Sequence, residues 1–302
     1  MNDVNTDGGK PLKSRPKVLI VGCGELGIAS AELLAEHGYH VIGARRSVNK
    51  LPDNLDRLTI DVQDPTSLSG LSEHRWAAVI VTLTADSFNQ QAYHASYVDG
   101  LRNVLAALST CKQLPLVLFA SSTSVYGQND GSVVNEASPT APAGFSGQTM
   151  LQAEALLADY PGKSSAIRFG GIYGRNAGRL VQRLQDGFIY PRQPLLYSNR
   201  IHYRDCCRTF LHLIRLAQND DLNPCYLAVD SHPALLRDIM EWLAERQGID
   251  IESLQETEAS TRGGNKRCSN AALLASGFTL QYPDYQAGFA PLVFSPLNKK
   301  PK

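Results

Sequence analysis

The chain has 302 residues, 43% of them hydrophobic, and its 29 basic side chains balance 29 acidic ones. This length suits one large domain or one domain with a smaller companion, and the zero net charge argues against a nucleic-acid partner or a polybasic membrane anchor. No apolar run approaches the roughly 18 residues of a membrane span. The six cysteines lack a CxxC pair or a histidine at metal spacing, so no metal site is predicted. A small-molecule partner and a reducing cytoplasm are expected.

Short apolar runs alternate with helical patterns along the chain. The strand candidates are residues 18–22, 40–44, 57–61, 77–83, 115–122, 164–170 and 225–230. The helix candidates are residues 28–38, residues 94–108, a helix that begins near 145–150, and residues 234–248. Strands that alternate with helices across short connections predict βαβ units. The predicted fold class is therefore α/β, with a doubly wound parallel sheet of the Rossmann type.

The first strand-to-helix turn reads VGCGELG and has the GxGxxG spacing of a dinucleotide-binding turn. Gly22 permits the tight turn, Gly24 lets the backbone approach a pyrophosphate, and Gly27 lets the helix pack on the strand. The N–H groups at the start of the helix would bind the pyrophosphate. Glycines in tight turns are common, but a position between a buried strand and a helix favours a cofactor site.

The second strand candidate ends in Arg45 and Arg46, where an NAD site normally has an acidic residue that accepts from the ribose 2′-OH. Two guanidinium groups at this position favour a 2′-phosphate, and hence NADP. The alternative is a pair of solvated loop arginines. Asp61, at the end of the third strand candidate, is predicted to hydrogen-bond near the adenine, although a turn aspartate would show the same pattern.

The order of the later motifs adds a family resemblance. From VGCGELG through LTIDVQD, SSTSVYG, RFGGIYG and NRIHYRD to KRCSNAALLASGF, the chain resembles the extended short-chain dehydrogenase/reductases, the NAD(P)-dependent epimerase/dehydratase family. The resemblance is closest to the atypical branch whose turn is written GCGxLG and whose active-site positions are often degenerate. It implies a Rossmann domain, a small C-terminal substrate-binding domain, and homodimers paired through helices.

This resemblance also implies where the domains and the cofactor contacts lie. The predicted divisions are a disordered tail at 1–16, an NAD(P)-binding domain at 17–172 and 200–230, a substrate-binding subdomain at 173–199 and 231–294, and a tail at 295–302. Beside the three glycines and two arginines, the implied cofactor contacts are Glu25, Leu26, Asp61, Val62, Leu83, Thr84, Ser121, Phe169, Gly170 and Gly171.

The catalytic tyrosine and lysine of the family are both missing from this chain. The family follows its VYG strand with Y-G-x-x-K, in which the tyrosine exchanges a proton at the substrate C–O bond and the lysine holds the nicotinamide ribose. Alignment on Gly147 and Glu154 places Ser146 at the tyrosine position and Met150 at the lysine position. A serine without a neighbouring base is a poor general base at neutral pH, and methionine carries no charge.

Other residues are candidates for the chemistry. Ser122 matches the family's hydroxyl that hydrogen-bonds the reacting oxygen, although a serine at a strand end also satisfies backbone groups. Tyr173 and His202 are candidate replacements for the missing acid, with cleft-wall packing and a structural role beside Asp205 as the alternatives. The predicted substrate contacts are Thr123, Arg168, Arg175 and Arg200.

Two functions from different classes remain open. One is an NADP-dependent oxidoreductase or epimerase-like enzyme that acts on a small carbonyl or hydroxyl substrate and prefers NADPH to NADH. The other is a non-catalytic NADP(H)-binding sensor or scaffold. Dehydration of a nucleotide sugar is not expected, because Thr123 and Ser124 stand where dehydratases of the family keep an Asp-Glu pair. The cofactor turn and Ser122 favour the enzyme.

Overall fold

Seven parallel strands form the central sheet of the computed structural model, which describes residues 15–175, 178–258 and 264–293. The strands, in chain order, are β1 Lys17–Val21, β2 His40–Arg45, β3 Asp56–Thr59, β4 Trp76–Val81, β5 Leu116–Ser122, β6 Val133–Val134, β7 Ser164–Phe169, β8 Gly171–Tyr173, β9 Phe188–Ile189, β10 Tyr197–Ser198, β11 Arg200–His202, β12 Cys225–Ala228, β13 Ala234–Leu235, β14 Gln255–Glu256 and β15 Arg267–Cys268. The α-helices are α1 Glu25–Glu36, α2 Gln90–Tyr93, α3 Gly100–Ser109, α4 Phe145–Leu156, α5 Gly178–Gln185, α6 Tyr203–Leu216, α7 Leu236–Gln247, α8 Ala271–Ala275 and α9 Tyr285–Val293.

The sheet has the strand order β12-β7-β5-β4-β1-β2-β3, and every neighbouring pair in it is parallel. The chain winds outward from β1 in both directions, so β1 and β4 flank the point where the strand order reverses. In open sheets of this kind, ligands bind outside the carboxyl ends of the strands at that point. The predicted doubly wound α/β fold is confirmed.

Both faces of the sheet are covered by hydrophobic side chains. Leu19 and Val21 of β1 join a core with α3 and α4, whereas Val18 and Ile20 join a core with α1 and α6 on the opposite face. This alternation is the period of two that a strand imposes on its side chains. A strand buried on both faces must be apolar throughout, which is why β1 reads as a continuous apolar run.

The predicted elements agree closely with the observed ones. The helix predicted at 94–108 is one continuous helix, in which a π-helical segment at His94–Asp99 connects α2 to α3. The helix predicted to begin near 145–150 is α4, which begins at Phe145. Within the described residues, every helix is too short or too polar to span a bilayer.

A third hydrophobic core lies apart from the sheet. It is formed by side chains from α5, α7 and α9, including Leu184, Met240 and Phe289. These helices belong to the segments predicted as the substrate-binding subdomain, whose boundaries stay a prediction. The predicted tails lie outside the described residues, except for Arg15 and Pro16.

A buried ion pair connects α4 to the sheet. Arg168 of β7 and Glu154 of α4 approach to 2.6 Å, with their side chains only 9% and 10% exposed. The same guanidinium donates to the Tyr126 hydroxyl at 2.7 Å, and Ser121 donates to the Glu154 carboxylate. Arg168 is therefore neutralised inside the protein. This pairing favours a structural role for Arg168, with a carboxylate from a helix fourteen residues earlier in the chain, and contact with substrate stays a prediction.

We expect Glu154→Gln to lower the free energy of unfolding by about 3–5 kcal/mol, because it leaves the Arg168 guanidinium buried without a counter-charge. Asp86→Asn is the matched control: it removes an ion pair with Arg46 in which both side chains are more than half exposed, and should cost less than about 1 kcal/mol. Urea denaturation of both variants measures the difference. Equal losses would contradict the role given to the buried pair.

Candidate functional site

The glycine-rich turn after β1 has the geometry that a dinucleotide requires. Gly22 adopts φ +75°, and a Cβ there would lie 2.9 Å from the Thr82 carbonyl oxygen, so a side chain is excluded on both grounds. A Cβ on Gly27 would lie 3.0 Å from the Ile20 side chain, which fits close packing of α1 on β1. These two glycines serve the roles that the sequence predicts for them.

The N terminus of α1 is open to an anion. Its N-cap residue is Gly24, and no side chain in the described part of the chain caps the helix. The first-turn N–H groups have no intrahelical partner in any helix, and they carry the positive end of the helix dipole. This turn is therefore able to bind a pyrophosphate through backbone groups alone.

Arg45, the last residue of β2, and Arg46, which follows it, make different contacts. Arg45 donates to the Cys23 carbonyl at 3.2 Å, which holds it against the glycine-rich turn. Arg46 forms a bidentate pair with Asp86 in the loop after β4, and this hydrogen bond raises the pKa of Arg46 and lowers the pKa of Asp86. Sequence reasoning missed Asp86, although β2 and β4 both border β1 and their following loops end at the same edge of the sheet.

Asp61 and Val62 form a local turn beside this region. The Asp61 carboxylate accepts from the Gln63 N–H at 3.0 Å, and the Val62 carbonyl accepts from Asn103 at 2.9 Å. Asp61 thus has the turn role that is the alternative to adenine contact. The turn uses only one of its carboxylate oxygens. Adenine contact through this residue stays a prediction.

A cleft of about 880 Å³ lies next to the glycine-rich turn. The residues predicted as site members that line it are Glu25, Leu26, Thr84, Thr123, Gly171, Tyr173, Arg175 and Arg200. The cleft wall also contains Arg179 and Lys266, so four cationic side chains face one carboxylate, Glu25, among the described lining residues. The cleft therefore favours an anionic ligand.

Ser122 stands at the end of β5, where the turn Thr123–Val125 begins. Its Oγ accepts from the Ser124 N–H at 3.1 Å and so caps that turn. Thr123, rather than Ser122, contributes to the described cleft wall. Ser122 therefore has the alternative role of satisfying a backbone N–H group. Its contact with a reacting oxygen stays a prediction.

The first turn of α4 packs directly on the turn after β5. A Cβ on Gly147 would lie 2.3 Å from the Ser124 carbonyl oxygen, so only glycine allows this approach. Ser146 precedes that contact, and Met150, one turn later, is 5% exposed and belongs to the core shared with α3. The position aligned with the family's lysine is filled by an apolar side chain that packs inside the protein.

His202 is a structural residue. Its ring is 3% exposed and lies 3.7 Å from the Tyr282 ring centroid, and its Nδ1 accepts from the Arg204 N–H at the start of α6. A Cβ on Gly174 would lie 2.2 Å from the imidazole. Burial lowers the pKa of His202 to about 4. A ring that is neutral, enclosed and used as a helix cap favours the structural alternative, and a catalytic role for His202 stays a prediction.

Tyr173 lies on the cleft wall, but its hydroxyl is engaged. It donates to the Asp284 carbonyl at 3.3 Å, and its ring stacks on Phe289 at a centroid distance of 4.5 Å. Burial raises the pKa of Tyr173 well above its ordinary value, which makes it a weak acid at neutral pH. These contacts favour the wall-packing alternative over proton transfer.

The remaining predicted cofactor contacts lie along the carboxyl ends of neighbouring strands. Leu83 is close to Gly22, since a Cβ on Gly22 would lie 3.0 Å from the Leu83 Cα. Phe169 ends β7 and is buried against Phe210. Gly170 follows, and a Cβ on it would lie 2.8 Å from the Asn199 carbonyl oxygen. Contact of these residues with a cofactor stays a prediction.

The model of the NAD dependent epimerase/dehydratase family matches residues 18–221 of the chain. A solved structure of a Methylobacillus flagellatus protein assigned to the NAD-dependent epimerases/dehydratases is 37% identical, with a TM-score of 0.75 over 93% of this chain and 98% of that one. Protein YeeZ of Escherichia coli K12 is 27% identical over 89% of this chain and 97% of its own. UDP-glucose 4-epimerase from Brucella ovis, solved in complex with NAD, is 21% identical, with a TM-score of 0.75 over 90% of this chain and 96% of that one.

Acidification should destabilise the protein through His202. The imidazole has a pKa of 6.5 in the unfolded chain and about 4 in the folded protein, so the unfolded state binds the proton more tightly. Its contribution is fully present above pH 6.5 and is lost as the pH falls toward 4, with a loss of about 2 kcal/mol at pH 5. His202→Asn keeps a capping oxygen and cannot titrate. Urea unfolding at pH 7 and pH 5 should show a smaller drop for this variant; an equal drop would contradict the assignment.

Proposed function

The chain belongs to the NAD dependent epimerase/dehydratase family, and on that premise we propose that it is an NADP-dependent oxidoreductase or epimerase-like enzyme for a small carbonyl or hydroxyl substrate. The observation that carries the proposal is the shared border of two sites. Glu25 and Leu26 belong both to the uncapped start of α1 and to the wall of the cleft. A cofactor on this turn would therefore extend toward a substrate in the cleft.

Backbone groups would hold the pyrophosphate of the cofactor, and arginine would hold its 2′-phosphate. Gly22, Gly24 and Gly27 provide the space and the N–H groups for the pyrophosphate. Arg45 is the proposed contact for the 2′-phosphate, because its guanidinium already lies against the glycine-rich turn. The bound nicotinamide supplies hydride transfer. Cofactor contacts at Thr84, Ser121, Phe169, Gly170 and Gly171 are part of the same proposal.

The chain's own residues would have to position the reacting oxygen without a tyrosine and a lysine. Ser122 and Thr123 place two hydroxyls at the end of β5, and Thr123 lines the same cleft as Glu25 at the start of α1. A hydroxyl that donates to a substrate oxygen stabilises developing negative charge there. Since Ser146 has no neighbouring base in this role and Met150 is part of the core, we assign no proton transfer to either.

The second candidate function is a non-catalytic NADP(H)-binding sensor or scaffold. The buried Met150 favours it, because that position is devoted to packing and not to chemistry. The cleft and its cationic lining favour the enzyme, since a sensor of the cofactor alone needs no second cavity. Homodimerisation and a cytoplasmic location stay predictions.

NADPH should bind more tightly than NADH, and Arg45→Ala should remove most of that preference. Loss of a charge-assisted contact to a phosphate corresponds to about a 10- to 100-fold change in affinity. Asp86→Asn should have the opposite effect, because it removes the charge that pairs with Arg46 and so frees that guanidinium for the 2′-phosphate. It should tighten NADPH binding and leave NADH binding nearly unchanged. Calorimetric titration of both cofactors measures all three proteins. Equal affinities of the parent protein for the two cofactors would refute the preference.

Turnover separates the two candidate functions. With a carbonyl substrate found by screening, Ser122→Ala should reduce the rate of NADPH oxidation about 100-fold or more, because it removes a donor to the reacting oxygen. Ser146→Ala, the control on the neighbouring helix turn, should change the rate by less than about tenfold. NADPH affinity should be the same in both variants. If Ser146→Ala were the more damaging change, the serine would be the acid; if NADPH bound and no substrate turned over, the sensor function would replace the enzyme.

A further inference from the structure

Arg200 lies on the cleft wall, and no ion pair within the described part of the chain includes its guanidinium. It begins β11, and its backbone pairs with Gly171 of β8 in a parallel register. Its Nε is shut off from solvent and has no hydrogen-bond partner within the described residues. The described ion pairs also include no carboxylate within 4.0 Å of this guanidinium. Arg168 and Arg237, whose side chains are 9% and 10% exposed, each reach a carboxylate.

The nearest acidic group does not fill this role. The Asp230 N–H donates to the Arg200 carbonyl at 2.6 Å, so the two backbones are adjacent, yet the side chains form no ion pair in the described structure. The Asp230 carboxylate accepts from the His232 N–H, and its other oxygen is buried and has no partner among the described residues. Burial raises the pKa of Asp230 to about 7 and lowers the pKa of Arg200.

An enclosed guanidinium that no carboxylate hydrogen-bonds is costly for a folded protein. Removal from water is offset only when hydrogen bonds and an opposite charge replace the lost hydration. Arg168 has such a partner in Glu154. Arg200 is instead enclosed on one side and borders the cleft on the other. The missing partner is therefore to be sought in the cleft.

The rest of the cleft wall fits an anionic ligand. Arg179 and Lys266 add positive charge, and Arg175 extends across the cleft mouth to the Glu25 carbonyl at 2.6 Å. The wall also contains the rings of Tyr190, Tyr197 and Tyr203, which provide amphipathic surface for the uncharged part of a ligand. A ligand with one anionic end and a compact body would satisfy both features.

We propose that Arg200 binds the oxyanion group of the substrate, a carboxylate or a phosphate monoester, and fixes that end of the molecule to the inner wall of the cleft. The fork of a guanidinium matches either group with two parallel hydrogen bonds. This inference rests on the proposed function, because it names the substrate class of the same cleft. It gives Arg200 a binding role and assigns it no part in hydride or proton transfer.

The test uses the full chain with two probes, inorganic phosphate and propionate, each compared with chloride at equal ionic strength. Calorimetry should detect saturable binding of at least one probe. Arg200→Met should weaken that binding about tenfold or more, since it removes charge-assisted hydrogen bonds. Arg179→Met, which removes a charge from an exposed position in the same cleft, is the matched control and should weaken it less than about threefold. The probe that depends on Arg200 identifies the substrate's anionic group.

A second measurement separates a binding arginine from a structural one. Without probe, Arg200→Met should melt at the same temperature as the parent protein or higher, because it removes an uncompensated charge. Arg200-dependent binding of neither probe, or a clear fall in melting temperature for Arg200→Met, would overturn the proposal. NADPH titration is independent of this outcome: probe binding without NADPH binding would leave the subsite and remove the proposed function, and the reverse would remove only the subsite.

Discussion

Burial of the central sheet on both faces is the constraint on which the rest of the structure depends. Alternate side chains of β1 enter opposite hydrophobic cores, so this central strand has no free face for polar chemistry. Functional groups here are therefore confined to the strand ends and the loops that follow them. The glycine-rich turn after β1 and Ser122 at the end of β5 both obey this rule, although they come from distant parts of the chain.

The protein handles enclosed charge in three different ways. Arg168 is paired with Glu154 and stabilises the packing of α4 on the sheet. His202 is kept neutral, since burial lowers its pKa to about 4, and it serves as packing and cap. Arg200 has neither solution within the described residues. Burial in a low-dielectric interior thus accounts for the structural roles of Arg168 and His202. For Arg200 it favours a partner from outside the chain.

The sequence was sufficient for the sheet and the cofactor turn because both depend on local pattern. VLIV followed by GCGELG specifies a buried strand, a tight turn and a helix start with little help from the rest of the chain. Charge partners depend on the fold. Nothing near Arg168 in the sequence reveals that Glu154 will face it, and nothing near Arg46 reveals Asp86. For this reason the strand that carries Arg168 was predicted correctly, whereas the ion pair of its side chain was not foreseen.

The packing of α4 fits the predicted absence of the family's tyrosine and lysine. Gly147 holds the first helix turn against the turn after β5, which directs Met150 into the core shared with α3. A lysine at that position would have to bury its stem among apolar side chains and bring its ammonium to the cleft edge. Positive charge is instead supplied from the other wall, where Arg200 and Lys266 line the cleft. Positive charge on that wall does not replace the acidity that a lysine in the family's position gives to a tyrosine. Any reaction in this cleft must therefore rely on orientation and hydrogen bonding more than on a tuned acid.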